Sequence, residues 1–201
     1  AAGTNCLVVL ESSGVYSGTA VAPSGITYNG IALTMVPASS IVKTVSESSI
    51  WYLVSPPAGT AYALVITYPS SIDAGTQGII ALSGVNTGSP LGTAATASGT
   101  GTAVAVTATG GASSDLYLAV GAAGEEGGTS TSGGSQTNLY AQTSRGGWTG
   151  SGDSIPGGGS GAFTWTESVS QDAWTASAVA FKASGSASTP IQGGFALSPS
   201  N

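Results

Sequence analysis

Hydrophobic and polar residues alternate along this chain over short distances. Leu116, Leu118 and Val120 occupy every second position of one run, Phe163 and Trp165 of another, Val179 and Phe181 of a third. A period of two puts such residues on one face of an extended strand, so the pattern predicts strands rather than helices. The apolar runs are rich in Val, Ile, Thr, Tyr and Trp and end at clusters of Gly, Pro and Ser, the punctuation of many short strands. Strands are expected near 6–11, 26–36, 49–55, 61–68, 77–84, 102–108, 115–121, 137–143, 162–167 and 174–182. Residues 38–55 and 162–184 lack Gly and Pro, which leaves helix open there. Their density of Ser, Thr and β-branched residues favours strand.

Turn chemistry agrees. Asn29-Gly30 is a two-residue hairpin signal, because both positions of a type I′ turn need positive φ. Pro56-Pro57-Ala58-Gly59 separates two strand-like runs, and Pro56 cannot continue a central strand. Gly110 to Asp115 links the runs 102–108 and 115–121. Residues 124–161 are dense in glycine and read as long loops around one weak strand at 137–143. The expected fold is all-β, a two-sheet antiparallel sandwich of jelly-roll or immunoglobulin-like type with long Gly-rich loops. The sandwich domain covers residues 1–183, followed by a Ser/Pro/Gly-rich tail over 184–201. Leu7, Val9, Trp51, Leu53, Leu64, Ile66, Ile80, Leu82, Leu118, Val120, Trp165 and Phe181 form the expected core, and Trp174 sits in a strand pattern too. No strict internal repeat marks a solenoid or propeller.

Composition then narrows the function. Of 201 residues none is histidine, one is cysteine and three are Lys or Arg, against nine carboxylates and 32 glycines. Hydrolytic, redox and phosphoryl-transfer chemistry draws on His, Cys, Lys or Arg for protons, ligands and anion clamps. A chain so poor in them is expected not to be an enzyme and to need no cofactor. The formal charge of −6 argues against nucleic acid as partner, since phosphates are held by clustered cations. No apolar run approaches a membrane-spanning length, and no basic amphipathic stretch suits a membrane surface. At 41% hydrophobic and 6% charged the chain folds, with Ser, Thr, Asn and Gln carrying its polar surface. Cys6, inside the run Cys6-Leu7-Val8-Val9-Leu10, reads as a small buried hydrophobe. The opening residues lack a charged n-region, which fits a processed chain, a trimmed one or part of a longer one.

The order of landmarks supports a resemblance. Ser24-Gly25-Ile26-Thr27-Tyr28-Asn29-Gly30-Ile31-Ala32-Leu33-Thr34 is similar to the first hairpin of a β-sandwich module that recurs in bacterial secreted proteins and phage virion proteins. Ile50-Trp51-Tyr52-Leu53-Val54-Ser55-Pro56-Pro57-Ala58-Gly59-Thr60 resembles its Trp-Tyr-Leu and Pro-Pro-Ala-Gly segment, the most specific part of the match. Ser83-Gly84-Val85-Asn86 with Ser89-Pro90-Leu91 resembles its corner, and Trp165-Thr166 with Trp174 through Lys182 its closing strands. The likeness spans residues 6–183. It implies a sandwich appended to surface proteins and no catalytic residues. The chain departs from the pattern at both ends: little precedes the strand at Leu7, and the segment after Ala183 is extra.

Several constellations could carry chemistry. Glu125-Glu126 could ligate calcium with Asp153, though a D-x-D-x-D-G spacing is missing and a solvated acidic loop is the simpler reading. Glu11, Glu47, Asp73, Asp115, Glu167 and Asp172 could pair as glycosidase carboxyls, but no spacing marks a pair. The serines lack a basic partner, and the glycine runs lack a following lysine. Lys43 or Lys182 could crosslink to an Asn, although a solvated amine is the ordinary outcome. Tyr140, Arg145 and Trp148 form the candidate ligand or interface patch, since exposed indoles stack on sugars and anchor interfaces. Ile191, Phe195 and Leu197 are the apolar positions of the tail and its candidate docking segment, expected on a neighbouring subunit because an unpaired sheet edge attracts a strand. The expected function is a non-enzymatic surface subunit of a virion (capsid decoration or tail-associated) or of an extracellular filament, at the virion surface or outside the cell. Its partners would be copies of itself or other proteins of the assembly. The alternative is a carbohydrate-binding or adhesin module that takes glycans on the aromatic loop.

Overall fold

The computed structural model describes residues 4–58, 62–124, 128–144, 147–185 and 195–197, the last three as backbone only. Fifteen strands run through them, β1 to β15 in chain order. They are β1 Thr4–Gly14, β2 Gly25–Tyr28, β3 Ile31–Ala32, β4 Thr34–Met35, β5 Ile41–Lys43, β6 Ser46–Val54, β7 Leu64–Thr67 and β8 Ala74–Ser83. Then follow β9 Ala95–Gly111, β10 Leu116–Ala123, β11 Ser130–Ser132, β12 Thr137–Thr143, β13 Thr149–Pro156, β14 Gly159–Phe181 and β15 Phe195–Leu197. All the pairings are antiparallel, and the fold is an all-β sandwich. Asn29 and Gly30 adopt φ of 50° and 75°, the two positive values of the expected hairpin turn. Strand β6 stops at Val54, two residues before Pro56.

The first sheet has the order β15-β8-β1-β6-β4, with β5 also on β6; the second has β11-β14-β10-β13-β12, with β9 also on β14. Between them lies an apolar core. Cys6, Val8, Leu10, Ile50, Ile80 and Leu82 face Leu116, Leu118, Val120, Val179 and Phe181. A small third sheet, β3-β2-β7, covers the outer face of the first by packing Ile26, Leu33, Leu64 and Ile66 on Val9 and Trp51. The long strands β9 and β14 pair along most of their length with an irregularity at 166–174. Residues on both sides of that irregularity, Val104, Val106, Phe163 and Trp165 with Trp174, Ala176 and Ala178, share one cluster with Tyr117 and Ala119 of β10. Covered on both faces, β10 is buried at every position. Most of the expected core is buried, with Leu53, Leu64 and Ile66 half-buried at the small-sheet layer.

The loop expectation for 124–161 needs correction. Strand β13, Thr149-Gly150-Ser151-Gly152-Asp153-Ser154-Ile155-Pro156, lies inside the second sheet between β10 and β12. Its inward positions are glycines because neighbouring side chains fill them. A Cβ on Gly150 would fall 1.7 Å from Thr76 Oγ1, and one on Gly152 would fall 2.1 Å from Tyr140 Cε1. The two runs expected at 162–167 and 174–182 are one strand, β14.

Candidate functional site

Glycine also decides the fate of the aromatic patch. Tyr140 turns inward from β12, is 7% exposed, and donates its hydroxyl proton to Leu10 O at 3.2 Å. Its ring fills the space over Gly78 and Gly152. Trp148 is 6% exposed, with its six-membered ring against Gly14 and Gly124, where added Cβ atoms would come within 2.3 and 2.1 Å. The indole closes one end of the sandwich and leaves a void of about 10 Å³ beside Ser12, Thr76 and Thr149, barely the room one water needs. An open stacking platform is therefore not formed by these two side chains, and the sugar-binding expectation for them is corrected. Arg145, Glu125 and Glu126 lie outside the described residues.

The structure does bring together a carboxyl pair that no sequence spacing marks. Glu11 of β1 and Glu47 of β6 are diagonal neighbours, two residues out of register, on the outer face of the first sheet, where Glu11 is opposite Ser49 and Ser13 opposite Glu47. Both are fully buried. Glu11 accepts a bond from Tyr68 Oη at 2.6 Å and from Ser49 Oγ at 3.1 Å. Glu47 accepts one from Ser13 Oγ at 3.3 Å, while its Oε1 meets no hydroxyl, amide or backbone donor. The Glu11 carboxyl is a neighbour close enough to couple with it, and two carboxyls bond each other only when one keeps its proton. Burial, then the negative charge of Glu11, holds Glu47 well above the ordinary carboxylate range. Burial raises Glu11 as well, against the lowering influence of its donors. Glu47, with fewer donors, is the one that stays neutral. Burial and the neighbouring carboxylates likewise push the Tyr68 phenol upward.

Of the other described acids, Asp172 is exposed on β14 and the rest accept hydrogen bonds within the frame. Asp153 on β13 is fully buried and accepts bonds from Ser132 Oγ at 2.8 Å, Gln136 Nε2 at 3.0 Å and Asn138 Nδ2 at 3.0 Å. The Trp165 indole N–H also donates to it. Burial raises its carboxyl despite these donors. Asp115 accepts the backbone N–H groups of Ala112 at 2.8 Å and Ala183 at 2.9 Å, pinning a turn to the end of β14. Glu167 accepts Thr149 Oγ1 at 2.9 Å, and Asp73 accepts the N–H of Tyr16 at 2.8 Å. Beyond the apolar core, hydroxyls join the two large sheets: Ser46 to Thr175 and Ser48 to Ser177, each at 3.1 Å. These arrangements orient strands. The carboxyl pair and Asp153 have no exposed surface.

Two further features border the sheets. A cleft of about 80 Å³ opens between Thr4, Leu7, Tyr28, Pro56, Pro57, Ala58 and Ala81. Of the tail positions, Ile191 lies outside the described residues. Phe195 and Leu197 belong to β15, which pairs with the outer edge of β8, Phe195 opposite Ile79 and Leu197 opposite Gln77. The tail strand does add to a sheet edge, but in the single chain the edge is its own. Nor does the strand at Leu7 lack a neighbour: β1 pairs β6 on one side and β8 on the other. Cys6 is buried in the core, where burial pushes its thiol up to about 12. No family model matches this chain, and neither a curated protein nor a solved structure matches it.

Proposed function

We propose that the protein is a non-enzymatic structural subunit of a surface assembly, an extracellular filament or the exterior of a virion, and acts by holding and joining subunits. What carries the reading is how the chain uses its chemistry. With no histidine and one cysteine, the groups left for catalysis are carboxyls. Of the described ones, Glu11, Glu47 and Asp153 are sealed inside, Asp73, Asp115 and Glu167 fasten backbone or hydroxyl groups, and Asp172 stands exposed on β14. Tyr117, Tyr140, Trp148, Trp165 and Trp174 are likewise packed over glycines. The result is a layered β body whose functional surface is its edges and loops. The low charge density, 6% of residues, suits close packing of copies with little long-range repulsion. The glycan-binding alternative loses its platform with Tyr140 and Trp148 buried.

The test is light scattering after size exclusion, with negative-stain electron microscopy, over a concentration series of purified protein. Concentration-dependent oligomers or fibres are expected. A monomer at every concentration that binds sugars on a glycan array would overturn the proposal in favour of the lectin-like reading.

A further inference from the structure

But for β15, strand β8 would be the edge of the first sheet, and its sequence, Ala74-Gly75-Thr76-Gln77-Gly78-Ile79-Ile80-Ala81-Leu82-Ser83, contains no charge and no proline. Exposed edges are ordinarily guarded by Lys, by Pro or by a covering segment, because a row of free N–H and C=O groups recruits any passing strand. Here the cover is β15, three residues long against a strand of ten. Among the described residues no other strand lies on that side of β8.

The sequence that connects the body to β15 is long for the distance it spans. The sandwich body closes where Ser184 N donates to Gly84 O and Asn86 N to Lys182 O, each at 2.8 Å. From Gly84 back along β8 to Ile79 is roughly 17 Å at about 3.3 Å per residue. The joining sequence, Gly185-Ser186-Ala187-Ser188-Thr189-Pro190-Ile191-Gln192-Gly193-Gly194, reaches roughly 33 Å when extended. A sequence of that length does not by itself hold the strand to its own edge. Moving it to the same edge of another copy preserves every pair it makes, so exchange is set by concentration and by the other contacts of the assembly.

Resting on the assembly reading above, we propose that in the assembled state β15 of one copy pairs with β8 of the next. Each copy then donates one strand and accepts one. Such a contact is head-to-tail and extends into an open chain unless its rotation closes a ring.

The full chain carrying Ile79→Cys and Phe195→Cys, whose positions face each other across the pair, reports which edge is occupied. It is bridged with a short bis-maleimide at assembling concentration and run on a denaturing gel; each single variant is the control. A ladder of covalent dimers and higher multiples is expected. A monomer-sized product bridged within one chain overturns the exchange while leaving assembly by another surface intact, and absence of any bridge overturns it too. In parallel, Ala196→Pro in the full chain places a residue without an N–H opposite Gly78. It is expected to lower the fraction of assembled protein at least tenfold with an unchanged circular dichroism spectrum. Wild-type assembly by this variant counts against the proposal.

Discussion

Replacing Glu47 by glutamine is expected to stabilise the protein at neutral pH, an unusual outcome for a fully buried position. Glu47 keeps its proton in the folded chain because it is sealed beside Glu11. In the unfolded chain it titrates near its ordinary value of 4.5, so at pH 7 folding must take up a proton. That uptake costs about 1.4 kcal/mol for each pH unit by which the solution lies above the unfolded value, up to the folded one. The direction follows from the raised folded value. The pair's contribution is fully present below about pH 4.5 and declines as pH rises toward the folded value. Glutamine is neutral at every pH and can still donate to the Glu11 carboxylate. It removes the uptake and disturbs only the acceptor contact to Ser13 at 3.3 Å. A gain on the order of 1 kcal/mol at neutral pH is expected after that loss, equivalent to about 2–4 °C in Tm for a chain of this size. The gain should vanish near pH 4. Asp153 and Glu11, raised in the same sense, add slope of the same sign in both proteins. Urea denaturation of wild type and Glu47→Gln between pH 3 and 9 measures it. A wild-type stability that is level from pH 5 to 8, or a variant with the same slope as wild type, refutes the shared-proton arrangement.

Other expectations follow from packing. Gly152→Ala drives a methyl to within 2.1 Å of Tyr140 Cε1 and 2.9 Å of Leu10 Cδ1, and should cost about 1–3 kcal/mol or more by overpacking. Gly134→Ala, where a Cβ meets nothing within 4 Å, should stay within about 0.5 kcal/mol; equal effects in a thermal melt would discredit the slot argument. Leu118→Ala, fully buried between the large sheets, should lose about 2–5 kcal/mol in the same assay. Cys6, with its thiol pushed up to about 12 by burial, should resist iodoacetamide at pH 8 in the native protein and react fully in denaturant. Rapid native labelling, read by mass, would contradict its place in the core.

The elements legible in the sequence are those whose inward positions carry large side chains. Leu7, Val9, Trp51, Ile80, Leu118 and Phe181 announce themselves by period two because each side chain fills its own share of the interior. Strand β13 is the converse case. Its inward positions are Gly150 and Gly152, and the matter that fills them belongs to Thr76 on β8 and to Tyr140 on β12. A one-dimensional pattern registers what a residue brings, not what its neighbours bring to it, so a central strand reads as a loop. The same reasoning explains Trp148, which looks exposed because glycines surround it in sequence and is buried because Gly14 and Gly124 receive its ring from elsewhere in the fold.

The carboxyl pair was half legible by the same logic. Along β1 the residues Leu7, Val9, Glu11 and Ser13 keep one face, and along β6 Leu53, Trp51, Ser49 and Glu47 do the same. Each row passes from apolar to acidic without leaving its face, which is the signal that both acids point under the small sheet. Their meeting depends on a register that only the pairing supplies. Shifting β6 by one residue along β1 would turn Glu47 to the opposite face, toward the second sheet, and leave Glu11 with no carboxyl partner. The shared proton is thus a property of the β1–β6 register, and the pH slope of stability reads that register directly.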